Sequence, residues 1–248
     1  MPDLQGGVFK IMQNRYHFLK IPYRSPIKIA NEGLLSSMLA VAPKYAEGKL
    51  VDLGCGTRPY ETIFKPYVDS YFGIDYESSA ESNYGDQTRA DLYVDCTETG
   101  IDEESFDTVL STQVMEHVYD TDKYVKECHR LLKKGGKGIF TIPMSWRCHA
   151  EPYDYHRFTK YSLEKIFTEN GFEIVELREI EGALASTIQH LIVFLCNRPG
   201  FRNVLFRAIK KLINTVLFTV LNYSALKLDR YFWDEKLCLN YLLVVQKK

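Results

Sequence analysis

The stretch Leu50-Val51-Asp52-Leu53-Gly54-Cys55-Gly56-Thr57 constrains the fold more than any other part of the chain. An apolar run stops at an acid, turns on two glycines, and leads toward a helix-like segment. Such strand–turn–helix junctions build parallel sheets. Glycine supplies positive φ at the turn and lets backbone approach a ligand with no Cβ between them. The same alternation continues downstream. Short apolar runs predict strands at 49–53, 71–75, 92–95, 106–111, 138–143, 173–180 and 241–246. Helices are predicted at 60–67, 119–132 and 162–170, and another at 32–42 is ended by Pro43. Gly135-Gly136 and Gly171 read as left-handed caps that close two of them. Several runs are apolar without alternation, which suits strands covered on both faces. The expectation is an α/β, doubly wound, seven-stranded and mostly parallel sheet with ligand at its carboxyl edge.

Charge narrows the ligand. A nucleotide loop receives phosphate on backbone N–H groups, a helix N-terminus and often a lysine. This loop has neither a third glycine in the fingerprint nor a Gly-Lys-Ser/Thr, and Asp52 stands at the strand end. A carboxylate there repels a pyrophosphate and suits a ligand carrying an ammonium and a sulfonium, as S-adenosylmethionine does. The alternative is a capping Asp beside an ordinary turn. The second strand then ends in Asp75, about twenty residues past the glycines, where an acid grips a ribose diol. The third ends in Asp95-Cys96, and an acid there can accept from an adenine amino group; the fourth leads to Gln113.

The ordered series Leu-Asp-Leu-Gly-Cys-Gly, Gly-Ile-Asp, Val-Asp-Cys, Glu-Ser-Phe-Asp-Thr-Val-Leu-Ser, Met-Glu-His and Leu-Leu-Lys-Lys-Gly-Gly resembles the class I S-adenosylmethionine-dependent methyltransferases. The nearest branch is the small-molecule one called methyltransferase type 11, and the match runs from about residue 49 to 143. The resemblance implies a Rossmann-like fold with S-adenosyl-L-methionine as cofactor. It places Asp52, Gly54, Cys55 and Gly56 around the methionine portion, Asp75 with Tyr76 on the ribose, and Asp95 with Cys96 at the adenine. Asp91 competes with Asp95, and the spacing to Phe106-Asp107 favours Asp95. Gln113 is expected to line the methionine pocket. Asp107, Glu116 and His117 are expected to be structural.

Past Pro143, the run from His149 to Thr159 is similar to a His…Pro…Asp-Tyr-x-Arg-Phe-Thr stretch of methyltransferases among cell-surface glycan enzymes, with His156 where those relatives carry an aromatic. Methyl transfer needs a base only when the nucleophile must lose a proton. Histidine is the residue type best suited to this near neutral pH; His149 and His156, with Asp154 as orienter or base, are the catalytic candidates. Each can equally be an ordinary surface-loop residue. Arg157 pairs either with an acceptor anion or with Asp154.

At 248 residues the chain suits one domain: a cap over 1–48, a cofactor-binding core over 49–182, a helical insertion before the last strand over 183–235, and that strand within 236–248. A net charge of −1 supplies no overall basic balance for nucleic acid. Six scattered cysteines form no zinc spacing and read as free thiols in a reducing cytosol, with no metal expected. In the insertion, apolar pairs from Val204-Leu205 to Val220-Leu221 recur at helical spacing, with Arg207, Lys210 and Lys211 on the other side. Over 202–221 this is a basic amphipathic helix, read as a lid, a homodimer interface or a peripheral contact on the inner membrane face.

The leading expectation is methyl transfer to O or N of a small molecule or glycan, a lipid-linked sugar included. The alternative is a non-catalytic, cofactor-binding partner subunit. A nicotinamide oxidoreductase fails on Asp52 and the absent third glycine.

Overall fold

In the computed structural model, residues 21–77, 89–198 and 204–248 are described. Seven strands form one sheet in the order β3-β2-β1-β4-β5-β7-β6. They are β1 (Lys49–Leu53), β2 (Ser70–Asp75), β3 (Leu92–Tyr93), β4 (Phe106–Thr112), β5 (Leu132–Pro143), β6 (Phe172–Ile180) and β7 (Asn240–Lys247). The pairs β1–β2, β1–β4, β2–β3 and β4–β5 are parallel. The chain steps outward from β1 to β3, then returns to β4 on the other side of β1. The order therefore reverses between β1 and β4, and a crevice opens there at the carboxyl ends.

Among the described residues the helices are α1 (Lys28–Tyr45), α2 (Glu61–Phe64), α3 (Thr121–Leu131), α4 (Lys160–Glu169), α5 (Ala183–Cys196) and α6 (Val204–Leu228). Leu50, Val51, Leu53, Val109, Leu110, Ile139, Phe140 and Ile142 are all fully buried, as strands covered on both faces require. Asp120 caps α3 by accepting from Lys123 N at 2.9 Å. That helix buries Tyr124, Val125, Cys128 and Leu131. The Tyr124 hydroxyl reaches Ser111 Oγ at 2.6 Å, fixing the end of β4. Thr159 and Ser162 form a capping box at the start of α4. Phe167 of α4 packs edge-on to Phe140 of β5, with ring centres 4.9 Å apart.

Several sequence expectations are corrected. Pro43 does not end the first helix but lies inside its last turn, and the helix begins earlier, at Lys28. Gly135-Gly136 do not cap a helix. α3 stops at Leu131, Leu132 is already extended, and the glycines sit within β5. Gly135 adopts φ 79° where the register shifts between Phe106 and Thr108, so it forms a bulge. β3 ends at Tyr93, two residues before Asp95. The helix expected over 60–67 is four residues of α2 followed by a 3-10 turn, Lys65–Tyr67. The helical insertion is borne out and holds two helices, α5 and α6.

The described chain divides into two compact units. One comprises Ser37–Arg178 with Tyr241–Lys248; the other draws on 21–36 and 179–240. Every residue of the site below belongs to the first.

Candidate active site

The glycine turn is held almost entirely by β2. Gly54 N and Cys55 N both donate to Ile74 O, at 2.8 and 3.0 Å. Gly56 N donates to Asp75 Oδ2 at 2.7 Å. Three successive backbone donors are thus occupied inside the protein. Gly54 adopts φ 72°, and a Cβ there would collide with Val114 Cγ2. Its lack of a side chain therefore admits the segment after β4, next to Gln113. The helix that follows, α2, begins only at Glu61, so no helix N-terminus faces the turn. A pyrophosphate would find the amides of Gly54, Cys55 and Gly56 already taken.

Asp75 is 8% exposed and accepts from Gly56 N and from Tyr76 N. Burial raises its carboxyl above the usual range against those two donors. Each oxygen retains a second acceptor direction for a diol. Asp52 is 3% exposed; Tyr71 donates to its Oδ2 at 2.5 Å, and its Oδ1 is buried with no hydrogen-bond partner. Burial pushes Asp52 up to about 7, while Tyr71 and Arg58 pull it down. Burial also lifts the thiols of Cys55 and Cys96 to about 12, so neither is a ready nucleophile. Tyr76 is exposed.

Asp91 is occupied by Arg58 and by Gly73 N at 2.8 Å, which gives it a structural task. Asp95 is exposed and accepts from Thr97 N at 2.8 Å. Gln113 is left-handed, with φ 58°, immediately after β4. Its N donates to Thr141 O at 2.9 Å and its side-chain amide reaches Thr141 Oγ1 at 3.3 Å. A non-glycine residue in that region costs of order 1–3 kcal/mol and is common at functional sites.

The loop after β5 separates the three catalytic candidates. Arg157 grips Asp154 with two nitrogens, at 2.7 and 2.8 Å, and holds its carboxyl down at about 2 against the effect of burial. Asp154 is therefore a positioning residue and no base. It accepts from His149 N at 3.0 Å, and its Oδ2 lies 3.4 Å from His149 Nδ1. His156 lies apart from this pair, with Nε2 on Tyr119 O at 3.1 Å.

Two residues expected to be structural join His149 instead. Glu116, in the turn after β4, is fully buried, and neither carboxylate oxygen has a hydrogen-bond partner. Burial pushes it up to about 8. His117 and His149 bring their Nε2 atoms to 3.8 and 4.0 Å from Glu116 Oε1. The loop is pinned over this turn: Tyr155 N and His156 N donate to Glu116 O, at 2.9 and 3.2 Å. His117 Nδ1 meets Tyr153 O at 2.7 Å. The signal in the sequence was adjacency, since β4 and β5 are parallel neighbours whose carboxyl-end loops must meet.

Comparison with known proteins agrees with this architecture. Residues 51–140 match the family model described as a methyltransferase domain. Over those residues the chain is similar to the class I S-adenosylmethionine-dependent methyltransferases. A Mycolicibacterium smegmatis protein named a probable S-adenosylmethionine-dependent methyltransferase is 26% identical over 144 residues, covering 57% of this chain and 54% of its own. A ubiquinone biosynthesis O-methyltransferase of Pelagibacter ubique is 32% identical over 96 residues, covering 36% and 39%. The chain spans about half the length or less of these curated relatives. Among solved structures, the cyclase SpnF has a TM-score of 0.56 at 15% identity, covering 92% of this chain and 85% of its own. A methyltransferase from Archaeoglobus fulgidus gives 0.54 at 14%, covering 87% and 92%. The phosphoethanolamine N-methyltransferase 2 of Haemonchus contortus, bound to S-adenosyl-L-methionine, gives 0.51 at 19%, covering 88% and 52%. At such identities the likeness concerns the fold.

The cofactor of this domain class is S-adenosylmethionine. The site fits it: a buried carboxylate with an unpartnered oxygen at Asp52 suits an ammonium, and Asp75 suits a diol.

Proposed function

We propose that the chain transfers a methyl group from S-adenosylmethionine to an oxygen or nitrogen of a small molecule, with glycans and lipid-linked sugars as the favoured acceptor class. The observation that carries the cofactor half is the occupation of the amides of Gly54, Cys55 and Gly56 by β2, beside the carboxylates of Asp52 and Asp75. When bound, the cofactor supplies a sulfonium-activated methyl group, and its sulfur keeps the electron pair of the broken carbon–sulfur bond.

The chain's own residues then position and deprotonate. Asp52 and Asp75 hold the ammonium and ribose ends, and Gln113 borders the methionine side. Asp154, locked by Arg157, orients His149. His149 Nε2 faces Glu116 rather than a carbonyl anchor. The proton of a hydroxyl acceptor leaves through His149, or through what His149 holds. Incubating the purified chain with methyl-labelled cofactor and extracted glycans or lipid-linked sugars should label an acceptor fraction. Labelling unchanged in His149→Ala would remove His149 from the acceptor side.

The second unit supports presentation of the acceptor at a lipid surface. Leu205, Ile209, Leu212, Val216 and Val220 of α6 recur every three or four residues and are exposed, from 43% to 67%. The opposite face buries Phe218, Asn222 and Ala225. Arg24, Arg207, Lys210 and Lys211 line an adjoining pocket of about 340 Å³. An apolar row beside cations matches an anionic bilayer surface. No helix among the described residues is long and apolar enough to cross a membrane. The chain should co-sediment with phosphatidylglycerol vesicles, and Leu212→Asp with Val216→Asp should release it. Failure of the unaltered chain to sediment, or dimerisation abolished by the same pair, would overturn the lipid assignment.

A further inference from the structure

We infer that Glu116, His117 and His149 form a binding site for one divalent transition-metal ion of the zinc class. One ligand atom from each residue lies within 4.8 Å of the other two. Two imidazoles and one carboxylate are a ligand set that leaves a position open for a further oxygen ligand.

The orientation of the rings supports this more than proximity does. A histidine binds a metal through one nitrogen while the other donates to a carbonyl or carboxylate. His117 Nδ1 lies 2.7 Å from Tyr153 O, an acceptor only, so that nitrogen carries the proton and Nε2 is left with its lone pair. His149 Nδ1 lies between Asp154 Oδ2 at 3.4 Å and Arg147 O at 3.3 Å, both acceptors, with the same consequence. Both free lone pairs belong to the nitrogens nearest Glu116 Oε1. The rings stand edge to face with centres 4.7 Å apart, as two ligands of one ion can.

Glu116 is the second, independent observation. Its carboxylate is fully buried, and neither oxygen has a hydrogen-bond partner. A buried carboxylate without donors is costly, so the group either holds a proton or takes a cation in its place. Arg157 acts on Glu116 only through space, and Asp154 already takes two of its nitrogens. Tetrahedral binding at about 2.0–2.2 Å needs ligand atoms roughly 3.3–3.6 Å apart. The Glu116–histidine separations of 3.8 and 4.0 Å close to that by shifts of a few tenths of an ångström, and the ligand nitrogens of the two histidines, within 4.8 Å of each other, by up to about 1 Å. An ion there would lower the pKa of an acceptor hydroxyl in its open position, which deepens the methyl-transfer reading without being needed for cofactor binding.

The test is titration of the full chain, stripped with chelator, with Co²⁺ as a spectroscopic probe and Zn²⁺ as competitor. The expected result is about one Co²⁺ per chain, with visible bands that Zn²⁺ abolishes. Glu116→Gln and His149→Ala should each weaken Co²⁺ binding at least tenfold. Asp154→Asn, acting through His149, should weaken it by about 10–100-fold. Thermal shift with S-adenosylhomocysteine on the same variants reports folding and cofactor binding separately. Absence of Co²⁺ bands in the unaltered chain, or unchanged affinity in folded Glu116→Gln and His149→Ala, would overturn the site. Loss of the S-adenosylhomocysteine shift in the unaltered chain would instead overturn the cofactor reading.

Discussion

Asp75, which closes β2, and Glu116, which follows β4, are both buried acids at the carboxyl edge of the sheet, and they are satisfied in opposite ways. Asp75 accepts two backbone N–H groups and ties the glycine turn to β2. Glu116 accepts none. The first acid is part of a finished scaffold, with acceptor capacity left over for a ligand. The second keeps an unpartnered carboxyl that a proton or a cation would satisfy. One edge of the sheet thus carries the proposed cofactor half, which is preorganised, and the proposed acceptor half, which depends on what enters it.

The sharpest way to break the cofactor half is to disturb its turn. Gly54→Ala adds a Cβ at φ 72° into Val114 Cγ2. Left-handed strain and overpacking together should cost about 2–4 kcal/mol in urea denaturation. Adding Val114→Ala should return part of that loss; no recovery would separate Gly54 from the β4 segment. A smaller effect is expected at Asp75. Asp75→Ala should weaken S-adenosylhomocysteine binding by about 1–3 kcal/mol through lost charged hydrogen bonds. An unchanged dissociation constant would remove the ribose assignment.

Asp52 gives a pH signature of about tenfold. Its folded value lies near 7, above the ordinary carboxyl range, so it keeps its proton longer than in the unfolded chain. Without ligand, this group therefore lowers stability as pH rises from about 4 to about 7. An ammonium ligand favours the ionised form, so cofactor affinity should rise roughly tenfold between pH 6 and 8. Asp52→Asn should flatten that slope, and a slope that survives assigns the proton elsewhere. The smallest effect concerns the acceptor half. Asp154→Asn breaks the pair with Arg157, which is partly exposed, and should cost about 1 kcal/mol near neutrality. Because the carboxyl is held down at about 2, its contribution is present above about 4 and fades as pH falls through 2. Equal stability of the two proteins at neutral pH would deny Asp154 its positioning role.

The two halves also differ in how they were written in the chain. The residues of the proposed cofactor half stand in order along the chain, at the ends of β1 and β2 and just past β4, while Asp95 lies two residues beyond β3. Non-alternating apolar runs gave the strands. Gly135-Gly136 misled because a bulge and a helix cap demand the same positive φ, and only the β4–β5 register separates them. The acceptor half was partly hidden. His149 and Asp154 stood out as titratable loop residues, but Glu116 and His117 looked structural within a family motif. Their meeting with His149 depends on two loops brought together by neighbouring strands. His156 has the same chemistry as His149 in sequence, and its contact with the Tyr119 carbonyl sets it apart. The exposed apolar row of α6 was visible as periodicity, but periodicity does not say which face is covered.

As proposed, the turn and its acids receive S-adenosylmethionine and not a phosphate-bearing dinucleotide. Isothermal calorimetry of the unaltered full chain with S-adenosylmethionine, S-adenosylhomocysteine and NAD tests it directly. Binding of the first two and none of NAD is the expected result. NAD binding, or no heat with either sulfur ligand, would contradict it.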